Sequence, residues 1–220
     1  REVLSDEQYD RWYQANREYD APVLIITEDE ARENERSRAT EMKTWIFEAE
    51  NVRDFGWASS RKFIWDAVLH PVEDGRSAWA MSYYPNEGEP LWSQYSTQSI
   101  MHTLDVYGRF CFPYPYPVAI SVNGPVGGME YPMLCFNGPR PEEDGTYSAS
   151  TKYGLISVII HEVGHNWFPM IVNSDERQWT WMDEGLNTFV QYLAEQEWET
   201  DYPSWGGEPR DMVDYMSSEN

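Results

Sequence analysis

Four residues in the second half of the sequence have the types and the spacing of a metal-dependent hydrolytic site. His161 and His165 are four residues apart in a segment with helical periodicity, so both imidazoles lie on one face, one turn apart. Neutral imidazole nitrogen is a good ligand for Zn²⁺. Glu162 lies between them, and its carboxylate can take a proton from water at the metal. The pattern predicts a zinc site with Glu162 as general base.

A third protein ligand is needed, because a catalytic zinc keeps one coordination position open for water. Glu184 follows His165 after eighteen intervening residues and begins the next predicted helix, so a helical hairpin can bring its carboxylate under the two imidazoles. Asn187 or Asp183 could support these ligands, although Asp183 is more typical of a helix N-cap. The alternative is two structural histidines and a Glu184 that only complements a helix dipole. The combination of three ligands with a base favours the zinc site.

Composition and charge narrow the classes of function. Hydrophobic residues make up 41% and aromatic residues 15% of the 220 residues, which indicates a folded core rather than disorder. The formal charge of −22 argues against a nucleic-acid partner, because phosphate binding needs clustered Lys and Arg. No stretch approaches the roughly twenty apolar residues of a membrane span. Cys111 and Cys135 are too few for a disulfide framework and are interpreted as buried hydrophobic residues.

Capping residues, apolar spacing and turn residues predict helices and strands in nearly equal number. The predicted helices are residues 5–18, 27–36, 91–110, 150–171 and 182–197. The predicted strands are residues 22–27, 42–52, 63–70, 78–84, 118–122 and 129–136, with a turn at Glu73-Asp74-Gly75. Trp167, Trp179 and Trp181 are interpreted as core residues around the zinc hairpin, since aromatic residues dominate cores, and the alternative is that they line substrate pockets. His70 and His102 are interpreted as ordinary structural or surface histidines.

Two motifs resemble those of the gluzincin aminopeptidases, the family of aminopeptidase N and leukotriene A hydrolase. The first is His161-Glu162-Val163-Gly164-His165 together with Trp181-Met182-Asp183-Glu184-Gly185. The second, Gly127-Gly128-Met129-Glu130-Tyr131, is similar to the family's exopeptidase motif, commonly Gly-Ala/Gly-Met-Glu-Asn. The resemblance implies an α+β fold with a thermolysin-like zinc peptidase catalytic domain at residues 58–200. Residues 1–57 would be a small strand-rich portion of a preceding β-domain, and residues 201–220 a linker or the start of a truncated downstream region.

The resemblance also implies an activity. One Zn²⁺ per chain, held by the three ligands above, would activate water for removal of N-terminal residues from peptides. Glu130 would bind the free α-amine of the peptide substrate. Gly127, Gly128 and Met129 would border the peptide backbone, since glycine allows close approach. Tyr131 stands where Asn is usual in the family, and this departure concerns the first specificity pocket rather than the zinc chemistry.

The family also uses a tyrosine well downstream of the third ligand to stabilise the oxyanion. Tyr192, Tyr202 and Tyr215 match it by residue type only, and none is assigned this role. Arg1 is not an initiator Met, and the chain is interpreted as an excised fragment of a longer protein. Loss of an oxyanion donor costs about 10²–10³ in rate. We therefore expect the isolated chain to bind zinc and to be weakly active or inactive.

Two alternatives stay open at this stage. The first is a zinc endopeptidase of thermolysin type, which shares the His, His, Glu ligand set. The motif at residues 127–131 argues against it. The second is a non-catalytic zinc-bound module, and the presence of Glu162 argues against it because a structural zinc site has no need for that acid.

Overall fold

The fold is built on one mixed β-sheet. The computed structural model describes residues 3–72, 75–204, 207, 210 and 213. Within these residues the strands are β1 (Val23–Ile26), β2 (Ile64–Pro71), β3 (Ser77–Tyr84), β4 (Val118–Asn123), β5 (Gly128–Met129) and β6 (Leu134–Asn137). Their order in the sheet is β1-β2-β3-β4-β6-β5. β3, β4 and β6 are parallel neighbours, whereas β1–β2, β2–β3 and β5–β6 pair antiparallel.

Helices surround this sheet. Between residues 3 and 204 the α-helices are α1 (Asp6–Ala15), α2 (Glu28–Glu35), α3 (Leu91–Phe110), α4 (Ala149–Gly164) and α5 (Glu184–Trp198). Ser5 with Gln8 and Thr27 with Glu30 form complete capping boxes, which satisfy the first free amides of α1 and α2. Mixed sheet and helices together confirm the predicted α+β class.

The main apolar core joins the sheet to α3, α4 and α5. Ile64 and Val68 of β2, Ile100 of α3, and Leu155 and Ile159 of α4 are fully buried in it. A smaller cluster of Ala15, Ile25 and Ala67 joins α1 to β1 and β2. Because successive strand residues point to opposite faces, Ala67 and Val68 show that α1 covers the face of the sheet opposite the main core.

The predicted strand at residues 42–52 is wrong. This segment has no regular secondary structure, and Met42, Ile46 and Phe47 are strongly exposed. Alternation of apolar residues indicates a strand only where a neighbouring strand supplies the ladder, and none of the described residues does so here. The prediction that the first 57 residues are strand-rich is also wrong for residues 3–57, which form two helices and one strand.

Two further predictions need correction at prolines. The predicted strand 129–136 is split into β5 and β6, because Pro132 has no amide to donate and Met133 adopts a left-handed conformation (φ 68). The predicted helix 150–171 begins at Ala149 with Ser148 as its cap and ends as α4 at Gly164. A short, wider helical segment, Asn166–Ile171, follows, and in it Phe168 is extended (φ −130, ψ 112) before Pro169.

The remaining chain adds two observations. In the described part of the chain, no helix combines the length and the apolar character that a membrane span needs. Glu73 and Asp74 of the predicted turn, and most of the predicted linker at 201–220, lie outside the described residues.

Candidate metal centre

Helices α4 and α5 cross next to the candidate ligands. The side-chain amide of Asn187 on α5 donates to the backbone carbonyl of His161 (2.9 Å), and its oxygen accepts from the hydroxyl of Tyr107 (2.8 Å). At Gly164 an added Cβ would lie 2.3 Å from Asn187 Oδ1 and 2.4 Å from the Tyr107 hydroxyl. Only glycine permits this approach of the two helices, which brings the first turn of α5, with Glu184, against the imidazoles.

The three predicted ligand atoms form a triangle of the size that zinc requires. His161 Nε2 lies 3.0 Å from His165 Nε2, and Glu184 Oε2 lies 3.2 Å from the first and 3.7 Å from the second. Donor atoms in a tetrahedral site with bonds of about 2.0–2.1 Å are about 3.3 Å apart. These three residues therefore could hold one metal ion.

Both imidazoles are held in the orientation that frees Nε2. The Gln191 side-chain amide donates to the carbonyl of Ser157 (3.3 Å) and to Glu195 (2.8 Å), so its oxygen accepts from His161 Nδ1 (2.8 Å). His165 Nδ1 faces the carbonyl of Phe168 at 2.7 Å. With a proton on each Nδ1, two Nε2 lone pairs face each other at 3.0 Å, and a cation between them relieves their repulsion.

The charges around the triangle also favour a cation. The hydrogen bond with His161 lowers the pKa of Glu184 and keeps this carboxylate ionised. Burial lowers the pKa of His165, but the Asp183 carboxylate 2.9 Å from Nδ1 and the charge of Glu130 outweigh burial and raise the pKa to about 9. Glu130 and Asp183 each offer a carboxylate oxygen within 4.8 Å of a His165 nitrogen. Carboxylates thus surround the buried imidazole on several sides.

Glu162, the predicted base, is buried beside the ligands with 6% of its surface exposed. Its Oε2 has no hydrogen-bond partner within the described part of the chain. Burial raises the pKa of Glu162 to about 7, against the opposing effect of His161 and His165. A carboxyl with a pKa near neutrality can both accept and return a proton at neutral pH.

The second motif lies directly against Glu162. A Cβ added to Gly128 in β5 would lie 2.1 Å from Glu162 Oε1, so the β5 backbone covers this carboxylate. Gly128 pairs with Asn137 and Met129 with Phe136, and β5 is the edge strand of the sheet. Gly127 and Met129 are exposed along this edge. The structure thus brings the motif at 127–131 next to the zinc hairpin.

Several predicted roles change. Asp183 occupies the N-cap position of α5, as predicted, but its side chain makes no capping hydrogen bond. Trp167 is fully buried against Tyr107 and Tyr114, as predicted. Trp179 and Trp181 are more than half exposed, and their prediction as core residues is wrong.

The unassigned tyrosines stay unassigned. Tyr202 is buried, and its hydroxyl bonds to Ser157 and donates to the carbonyl of Tyr153, so it is not directed at the site. Tyr215 lies outside the described residues. Sequence reasoning also missed Gln191, although it follows Glu184 by seven residues, two turns along the same face of α5.

The fold thus groups three possible metal ligands with a buried carboxylate. The family model for the peptidase family M1 domain matches residues 95–218, more than half of the 220 residues, and the chain belongs to this family. It is 32% identical over 109 residues to Aminopeptidase M1 of Arabidopsis thaliana, covering 47% of this chain and 12% of that protein. It is 30% identical over 105 residues to human Aminopeptidase N, covering 44% of this chain and 10% of that protein.

Among solved structures, an M1 zinc metallopeptidase mutant from Deinococcus radiodurans matches with a TM-score of 0.46 and 20% identity. That match covers 69% of this chain and 32% of the solved one. The matched segments correspond to about an eighth or less of the length of the two relatives named above.

Proposed function

We propose that this chain contains the catalytic centre of a zinc aminopeptidase, with one Zn²⁺ bound by His161, His165 and Glu184. The observation that carries this proposal is the triangle of ligand atoms, with sides of 3.0, 3.2 and 3.7 Å. The orientation of both imidazoles supports it, because each Nδ1 has an acceptor and each Nε2 faces the centre of the triangle. The names of the two relatives, both aminopeptidases, agree with it.

Zn²⁺ in such a site polarises a carbonyl and lowers the pKa of water. Glu162 takes the proton from the attacking water and passes it to the leaving amine. Its burial beside the ligand atoms suits both steps, because Oε2 has no other hydrogen-bond partner within the described residues. Glu130 binds the ammonium group at the N-terminus of the peptide, and this contact places the scissile bond one residue from the chain end.

The edge strand β5 offers a way to bind the peptide backbone. An extended peptide can add a strand to an unpaired sheet edge through main-chain hydrogen bonds. Gly127, Gly128 and Met129 are exposed at that edge, next to Glu162. We assign these residues to substrate binding.

The proposal includes the domain division expected from the sequence. Residues 58–200 would form a thermolysin-like catalytic domain, preceded by part of another domain at 1–57 and followed by a linker or a downstream region at 201–220. β1 pairs with β2 across this boundary, so the first two parts would share one sheet. Limited proteolysis tests the division, and the expected cleavage falls in the exposed segment 38–61.

Zinc content is the first test of the centre. The chain is purified without chelator, supplied with zinc, dialysed and examined by elemental analysis, together with Glu184→Ala and the control Glu197→Ala. Glu197 lies on the same helix and pairs with Arg109, away from the triangle. About one zinc per chain in the wild type and in the control, with loss in Glu184→Ala, is expected. A folded wild-type chain that takes up no zinc would overturn the proposal.

The aminopeptidase activity is tested in the full-length protein with two matched substrates. A peptide with a free amine should be cleaved, and the same peptide with an acetylated amine should not. Equal cleavage of both would identify an endopeptidase instead. Glu162→Gln should keep the zinc and abolish turnover, because an amide does not accept the proton from water; normal turnover in this variant would refute the assignment of the base.

A further inference from the structure

Asp183 has an unusual environment for a residue that precedes a helix. Acidic residues at this position normally accept hydrogen bonds from the first amides of the helix. The side chain of Asp183 makes no such bond to α5. It is buried instead, with 8% of the side chain exposed. Removing a carboxylate from water is costly unless it finds a partner of opposite charge or a donor.

The partner of Asp183 is the imidazole of His165. Asp183 Oδ1 lies 2.9 Å from His165 Nδ1. This is the nitrogen on the far side of the ring from the ligand triangle, because His165 Nε2 faces His161 at 3.0 Å and Glu184 at 3.7 Å. The carbonyl of Phe168 lies 2.7 Å from the same Nδ1. The N–H at Nδ1 therefore points to the Phe168 carbonyl, whereas Asp183 Oδ1 lies beside it without a hydrogen bond within the described part of the chain and contributes a full negative charge.

The two imidazoles differ in this respect. His161 Nδ1 faces the neutral amide oxygen of Gln191, whereas His165 Nδ1 faces a carboxylate. A negative acceptor behind the ring increases electron density at the opposite nitrogen and makes it a stronger metal ligand. The loop between α4 and α5 leads to Asp183. Glu176 in this loop forms two hydrogen bonds with Arg53, at 2.9 and 3.1 Å, which connect the loop to a part of the chain far away in sequence.

We propose that Asp183 is a positioning residue that orients His165 and strengthens its Nε2 as a ligand for Zn²⁺. The inference rests on the zinc site proposed above. Asp183 does not touch substrate or water in this scheme, and it acts only through the imidazole. Phe168 alone would preserve the proton on Nδ1, so the specific contribution of Asp183 is its charge.

The variant Asp183→Asn tests this role, because the amide is nearly isosteric and removes only the charge. Asp175→Asn is the matched control. Asp175 lies in the same loop, is exposed and accepts from Gln178, so its replacement removes one charge without touching an imidazole. Zinc affinity is measured for the full chain by competition with a chromophoric chelator.

We expect Asp183→Asn to weaken zinc binding by about 10- to 100-fold, as is usual for partners of metal-bound histidines. Asp175→Asn should stay within about threefold of the wild type, since an exposed charge is screened. Equal affinities of the wild type and Asp183→Asn would overturn the inference while leaving the zinc site intact. A wild-type chain without zinc uptake would overturn the site and the inference with it.

A second measurement separates this role from a purely structural one. In ¹H–¹⁵N spectra of the zinc-loaded chain, a full negative charge 2.9 Å from Nδ1 polarises the N–H that bonds to Phe168 and moves its proton to lower field. The His165 Nδ1 proton should move to higher field in Asp183→Asn and keep its position in Asp175→Asn. An unchanged resonance in Asp183→Asn would show that the Asp183 charge does not act on this imidazole, and the inference would fall.

Discussion

Replacing Gly128 by alanine tests whether β5 controls the position of the Glu162 carboxylate. The new Cβ would lie 2.1 Å from Glu162 Oε1, 2.9 Å from Glu162 Cδ and 2.8 Å from Val158 Cγ2. The first distance is about 1.3 Å short of the 3.4 Å at which ordinary contact begins. Either the carboxylate or the strand must move by roughly that distance.

This displacement should affect turnover more than zinc binding. A misplacement of about 1 Å can cost about 10² in rate, so we expect kcat of the full-length protein to fall about 100-fold. Zinc content should stay at the wild-type level, because none of the three atoms nearest to the added Cβ belongs to His161, His165 or Glu184. The assay is hydrolysis of an amino-acid p-nitroanilide, with zinc measured on the same sample.

Gly154→Ala is the control, because no atom lies within 4 Å of a Cβ added there and the residue lies outside the motif at 127–131. Neither Gly128 nor Gly154 has a positive φ, so both positions accept alanine without backbone strain. Overpacking at Gly128 should also lower stability by about 1–3 kcal/mol. Adding Glu162→Asp to Gly128→Ala shortens the carboxylate side chain and should restore part of that loss. Turnover of Gly128→Ala within threefold of Gly154→Ala would refute this account of the contact.

Two further predictions concern stability. Gly164→Ala should destabilise the chain by about 1–3 kcal/mol in denaturant unfolding, because its Cβ would meet Asn187 and Tyr107 at 2.3 and 2.4 Å. Gly154→Ala, in open space on the same helix, should instead stabilise by about 0.5–1 kcal/mol, and a stabilised Gly164→Ala would contradict the close helix crossing. Burial raises the pKa of Asp66 to about 7 from 3.8. The folded chain is therefore destabilised as pH rises between these values, because the buried carboxyl must lose its proton. The free energy of unfolding of Asp66→Asn, relative to the wild type, should increase by about 2–3 kcal/mol from about pH 5 to about pH 8, and parallel pH curves for the two proteins would contradict this.

Local patterns in the sequence predicted much of the fold. The capping residues Ser5 and Thr27 correctly predicted the starts of α1 and α2, because a capping box involves only residues three apart. Local sequence could not show that the strand predicted at 42–52 would be absent from the fold. A strand depends on a partner elsewhere in the chain, and no local pattern shows whether that partner is present.

The sequence by itself determined the composition of the candidate site. His161 and His165 lie on one helical face because of their spacing, and Glu184 and the motif at 127–131 were recognised from residue order alone. Tertiary structure decided how these residues meet. Asn187 of α5 contacts α4 at Gly164. The side chains of Gln191 and Asp183 face the two imidazoles. Gly128 lies against Glu162.

These contacts join residues up to 34 positions apart in the chain, from Gly128 to Glu162. Their distances depend on how helices and strands cross, and crossing depends on side-chain volume and on hydrogen bonds formed between elements. Periodicity describes one element at a time. It therefore identifies the groups that can bind a metal or move a proton, while the close approaches that orient those groups exist only in the folded chain.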